Sequence, residues 1–390
     1  MINLSRQKVI DSHCHAFLPM KESSIRSSFE QFLTLAIHPI PKEDMFNTFL
    51  YRQVIRELSR VLECKGSHKE IVEVRQKRYR KDPEGYIKML FDDARIEMIL
   101  LDTGYPSEVF TGYSVEPEVF AKFVPSDIKT IFRIDNIVVS LVQNYSSFND
   151  AVEKFQQIVD KAVKNDGAVG LKTVVAYITG LEVQRHPYEE ASNSYECMAE
   201  KAKSAESWQS ILTPSKEVKT VMDHFVFLTA EKSVELDVPL QIHTGMGDAP
   251  IIDLRKANPV LLHDFITDES LKKAKLVLTH GGYPWIEESG FLVNSYPNLF
   301  LDFSETIPFI SIGIADKLMK LFEMAPTNKI MYGSDGYNIP ELFWISALET
   351  KSALSRVLND LVESDTIDVD WALEIGEQIL SKNTERLYKL

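Results

Sequence analysis

Val9-Ile-Asp-Ser-His-Cys-His15 is the stretch that decides how this chain is read. Lys8-Val9-Ile10 leads apolar residues into polar ones, the pattern of a β-strand reaching its end. Side chains alternate faces along a strand, so His13 and His15 point one way and Cys14 the other. Two imidazoles on one strand face can grip a single metal ion. The strand is therefore a candidate metal floor for a hydrolase. Cys14, on the far face, reads as a small core residue.

Runs of the same kind recur downstream: MILLDTG at 98–104, TIFRID at 130–135, AVGLKTVV at 168–175 and PLQIHTG at 239–245. KLVLTHGG at 275–282, LFLDFSE at 299–305 and IMYGSDG at 330–336 complete the set. Each is a short apolar run with polar chemistry at its C-terminal end, as buried parallel strands are. Residues 149–164 and 216–236 carry apolar side chains at helical spacing. Eight strands alternating with helices predict an α/β fold, the (β/α)8 TIM barrel, as a single domain over 1–390. The surplus over a plain barrel of about 250 residues predicts helical insertions after strands 1 and 4. These cover 16–97 and 176–238, both expected over the barrel mouth, while 340–390 reads as closing C-terminal helices. The basic run from Arg75 to Lys81 reads as a solvated helix face.

With 43 Lys+Arg against 57 Asp+Glu, the net charge is -14, which argues against nucleic acid and anionic membrane as partners. No run approaches the roughly 20 apolar residues that span a bilayer, and the first residues lack a signal-peptide core. Cys14, Cys64 and Cys197 are too few for a disulfide framework and fit a reducing cytoplasm. A small molecule is the expected partner. Oligomeric state is left open, a homo-oligomer included.

Strand ends carry His13, His15, Lys172, His243, His280 and Asp335. Any one histidine there has a structural reading as a hydrogen-bonded residue. Together, four of the nine histidines and an aspartate at barrel-strand ends suit Zn²⁺, Mn²⁺ or Fe²⁺. His38, His68, His186, His224 and His263 fall in helices or insertions and read as structural, with His186 a weaker candidate for substrate contact.

The pattern resembles the amidohydrolase superfamily, in its amidohydrolase-related branch. The likeness runs from the Val-Ile-Asp-x-His-x-His strand to ILSKNTERLY at 379–388, and QIHTGMGD at 241–248 resembles FluG-type amidohydrolase domains. It implies that His13, His15, His243, His280 and Asp335 surround one or two divalent ions, zinc first among them. Lys172, with Tyr177 five residues on, matches the segment where binuclear members carry a lysine carbamate. An ammonium has no lone pair for a metal, whereas a carbamate does. Lys172 as an unmodified substrate contact stays open.

The implied activity is hydrolysis of an amide-type carbon–nitrogen bond by an activated water, with Asp335 as proton shuttle. His280 has a further role as base or electrophile if one ion binds, and Tyr177 is the oxyanion donor. Candidate substrate contacts are Arg133 (or a salt bridge to Asp102 or Glu305), Glu305 and Trp285 beside Tyr283. Asp248 reads as a helix cap first and a substrate contact second. A non-oxidative decarboxylase and a catalytically inactive binding barrel are the alternatives.

Overall fold

The computed structural model describes residues 1–19 and 29–390. Eight parallel strands build one sheet in sequential order. They are β1 (Val9–His15), β2 (Ile96–Asp102), β3 (Asp127–Arg133), β4 (Gly170–Thr173), β5 (Leu240–His243), β6 (Leu276–Thr279), β7 (Leu299–Asp302) and β8 (Ile330–Met331). β4, β5 and β6 are buried along their whole length, as strands covered on both faces must be. The sheet curls back on itself at a seam between β1 and the segment after β8. Ser12 N–H donates to Tyr332 O (3.1 Å), Asp335 N–H to His13 O (2.8 Å) and His15 N–H to Gly336 O (2.8 Å). The TIM barrel is the one expected.

Its interior is filled rather than open. Ile10, Leu100, Ile131, Val277 and Met331, from five strands, pack together at one end. Leu387 and Tyr388 of the last helix, Asn383–Tyr388, cover that end. Chemistry is thereby confined to the opposite mouth.

The helices follow local signals. Phe148–Lys164 begins at Ser147, whose hydroxyl accepts from Asp150 N–H, and buries Phe148, Ala151, Phe155, Val159 and Ala162 at helical spacing. Full burial of a side chain such as Phe155 contributes about 2–3 kcal/mol. Lys216–Leu236 is capped by Ser215 and ends at Asp237, which takes the left-handed conformation. No helix among the described residues is long and apolar enough to cross a membrane.

Two expectations need correction. Residues 20–28 of the 16–97 insertion lie outside the described residues, and the rest does not roof the mouth as a block. Its helices Phe49–Val61 and His68–Lys81 join the outer helix Pro340–Glu363 instead, through Gln53–Glu349 and Arg75–Glu341 pairs. Among the described residues, the stretch near Ala36 reaches the loops of the mouth: Ile37 N–H donates to Ala249 O, Ala249 N–H to Leu35 O, and the Tyr337 hydroxyl to Thr34 O at 3.5 Å. Nor is the basic run wholly solvated. Arg75 is buried and bonded twice to Glu341, because one face of its helix must meet Pro340–Glu363.

Candidate metal centre

β1 delivers His13 and His15 to the mouth on one face, and Cys14 turns away to donate to Leu100 O. The turn after β8 brings Asp335 between them. That turn is pinned by Asp11, whose carboxylate accepts from Ser334 N–H (2.8 Å) and from the Ser334 hydroxyl. Gly333 is needed there, since a Cβ would lie 2.8 Å from Ser304 Cβ and 2.9 Å from Ser12 Oγ.

His13 Nε2 and His15 Nε2 each stand 3.1 Å from the same oxygen, Asp335 Oδ1. That oxygen takes no aligned hydrogen bond, although it is buried. Ligand atoms about 2.0–2.1 Å from one ion stand about 2.9–3.4 Å from each other, so this spacing is that of a coordination shell. A second group, His243, His280 and Glu305, also converges its donor atoms to within 4.8 Å. His243 Nε2 lies 2.9 Å from Met246 O, and a carbonyl only accepts, so Nε2 carries the hydrogen and Nδ1 keeps a lone pair. In His280, Nδ1 lies 3.1 Å from Ser304 O, so Nε2 keeps the lone pair.

Charge states suit a cation. Burial, with Lys172 next, lowers the His13 pKa to about 4. Burial likewise carries His243 and His280 well below the usual imidazole range. Burial opposes ionisation of Asp335, but the adjoining His13 and His15 outweigh it, and the carboxyl falls well below its ordinary value. Neutral imidazoles around an ionised carboxylate are the forms a divalent ion requires. These residues fit the metal their family resemblance implies.

One consequence is measurable. At pH 6 an ordinary imidazole is about three-quarters protonated, whereas His13 at about 4 is about 1% protonated. In the metal-free protein, histidine-selective NMR should show His13 neutral down to about pH 5. A midpoint near 6.5 would contradict the buried environment described.

Lys172 is fully buried and donates to Thr279 Oγ1 at 2.7 Å, with its pKa brought down to about 8 by burial. Arg133 lines the cavity but is not a free clamp. Its Nε and Nη2 bond Asp102 Oδ2 at 3.0 and 2.5 Å, so the salt-bridge reading holds with Asp102 as partner. Tyr177 Oη accepts from Asp248 N–H at 2.9 Å, leaving its own O–H proton free to donate. Gly247 makes room for that hydroxyl, since a Cβ there would stand 2.0 Å from it. Asp248 also lines the cavity.

The cavity measures about 230 Å³ and brings His13, His15, Lys172, His243, His280 and Asp335 together with Arg133, Tyr177 and Glu305. Trp285 is a correction: it does not line the cavity. Gly281 and Gly282 turn the chain with positive φ, and Trp285 sits at the start of helix Ile286–Ser295. The indole in the wall is Trp208, from the insertion after β4, joined by Tyr105 and Tyr337. Sequence reading missed all three. Tyr105 and Tyr337 follow strand-end motifs by a few residues and were within reach, while Trp208 carries no local signal. His186 is also corrected: it pairs with Asp223 at 3.0 Å and lies outside the cavity.

A model of the amidohydrolase family matches residues 151–390. The chain is 27% identical over 409 residues to Protein fluG of Emericella nidulans, covering 98% of this chain and 46% of that protein. It thus spans about half the length of this curated relative. A Lactobacillus casei structure assigned as a metal-dependent hydrolase superposes with a TM-score of 0.85 at 24% identity, covering 100% of this chain and 98% of that one. Uronate isomerase from Thermotoga maritima superposes at 0.67 with 15% identity, covering 99% and 95%. Likeness at these identities shows the shared barrel, not a shared reaction.

Proposed function

This chain belongs to the amidohydrolase family, and on that premise we propose that it hydrolyses an amide-type carbon–nitrogen bond of a small molecule with a divalent metal. The observation that carries the reading is Asp335 Oδ1 standing 3.1 Å from both β1 imidazoles in the cavity at the barrel mouth. A bound divalent ion, zinc by preference over manganese or iron, supplies Lewis acidity and lowers the pKa of water to about 7. His13, His15 and Asp335 would hold it, and His243 and His280 form the second donor group with Glu305. Asp335 takes a proton from the attacking water and passes it to the leaving nitrogen as the carbon–nitrogen bond breaks. Tyr177 donates its free O–H to the oxygen on which charge develops.

Lys172 supports a two-ion version. A lysine brought down to about 8 is partly neutral at pH 7.5, and only the neutral amine adds carbon dioxide to form a carbamate. The charge balance and cysteine pattern fit a cytoplasmic setting.

The test is a metal-reconstituted preparation assayed on a panel of small amides and anilides. Amine release should vanish with 1,10-phenanthroline and return with zinc. Tyr177→Phe should lower kcat by about 10²-fold with little change in KM. Carbon dioxide release from carboxylic acids without amine release would replace the reading with a decarboxylase. Intact zinc with no turnover of either kind would leave a binding barrel.

A further inference from the structure

We infer that the substrate carries a positively charged amine, seated against Glu305 and Asp248 between the rings of Tyr177 and Tyr337. The inference rests on the cavity being the substrate site. It starts from Glu305, which is 3% exposed, lines the cavity, and has in Oε2 a buried oxygen without a hydrogen-bond partner. A buried carboxylate is costly unless a cation meets it, and the basic group nearest Oε2, His280 Nδ1 at 3.7 Å, is carried well below the usual imidazole range by burial. Arg133 is committed to Asp102, and Lys172, whose Nζ bonds Thr279 Oγ1, acts on Glu305 through space without a direct contact between the two.

Asp248 adds a second carboxylate to the cavity lining; burial first, then Asp335 and Asp248, hold the Glu305 carboxyl well above its ordinary range, a state that an incoming cation would reverse. Tyr177 and Tyr337 line the same cavity as these two carboxylates. The Tyr177 hydroxyl is held by Asp248 N–H and that of Tyr337 is turned to Thr34 O, so both tyrosines are fixed by neighbours. Aromatic faces attract ammonium groups, and carboxylates beside them do so more strongly. Trp208 and Tyr105 extend the aromatic lining.

A second metal ion is the competing occupant, because His243 and His280 share a donor cluster with Glu305. Tetramethylammonium separates the two, since it is a cation with no lone pair for a metal. Calorimetric titration of the zinc-loaded protein compares it with tert-butanol, a neutral molecule of similar shape. The ion should bind at least about tenfold more tightly, and E305Q should reduce that advantage to below about threefold with zinc content unchanged. Asp248→Asn should do the same and decides the matter if E305Q fails to fold. A smaller advantage, an advantage that survives both substitutions, or zinc lost from E305Q overturns the inference. The measurement needs no turnover, so it succeeds or fails independently of the hydrolytic reading.

Discussion

Asn in place of Asp335 should lower kcat by about 10³-fold or more while leaving the barrel folded. The substitution keeps size and one oxygen but removes the negative charge and the base. Asp335 has φ 51°, a left-handed conformation that Asn adopts as readily as Asp, so the turn is not strained further. The barrel seam uses the backbone N–H of Asp335 on His13 O, which the side-chain change leaves in place. Zinc content must be measured in parallel, since an amide oxygen is a weaker ligand than a carboxylate. Lost turnover with zinc retained assigns Asp335 to proton transfer. Retention of more than about a tenth of wild-type kcat would remove it from that role.

Arg75→Met should destabilise the fold by about 3–5 kcal/mol, read as a lower midpoint in chemical denaturation. Arg75 Nε and Nη2 bond Glu341 at 2.6 and 3.0 Å, and Tyr86 O–H donates to the same carboxylate at 2.6 Å. Phe29, Tyr79 and Tyr86 surround the guanidinium at 4.9, 4.7 and 5.6 Å. Methionine fills the space but abandons a fully buried carboxylate, and that abandonment dominates the loss. Changing both partners, Arg75→Met with Glu341→Leu, should therefore recover most of the stability. A single-variant loss below about 1 kcal/mol would mean that the pair is solvated and carries little.

The barrel was legible because its strands advertise themselves. Each is a short apolar run ended by His, Lys or Asp, and the two-residue period of β1 alone places His13 beside His15. Asp335 was legible for the same reason, as polar chemistry just beyond β8. What escaped reading depends on long-range packing. Nothing near Trp208 says that its helix turns over the mouth, and Gly281-Gly282 before Trp285 leave open which way the chain turns. Arg75 sits in a basic run like any solvated one, and its burial is dictated by Glu341, far along the chain. Glu305 was visible as a candidate. Its φ of 60° and isolated oxygen, which define its place in the cavity, come only with the assembled barrel.

The seam between β1 and the turn after β8 has a consequence for biosynthesis. His13 and His15 emerge from the ribosome early, yet their partner Asp335 is made more than three hundred residues later. The same three hydrogen bonds that close the barrel bring the carboxylate to the imidazoles. A nascent chain lacking that last turn holds two histidines on an open strand edge and no complete donor set. Metal capture therefore belongs to the finished barrel, and loading cannot guide the early stages of its folding.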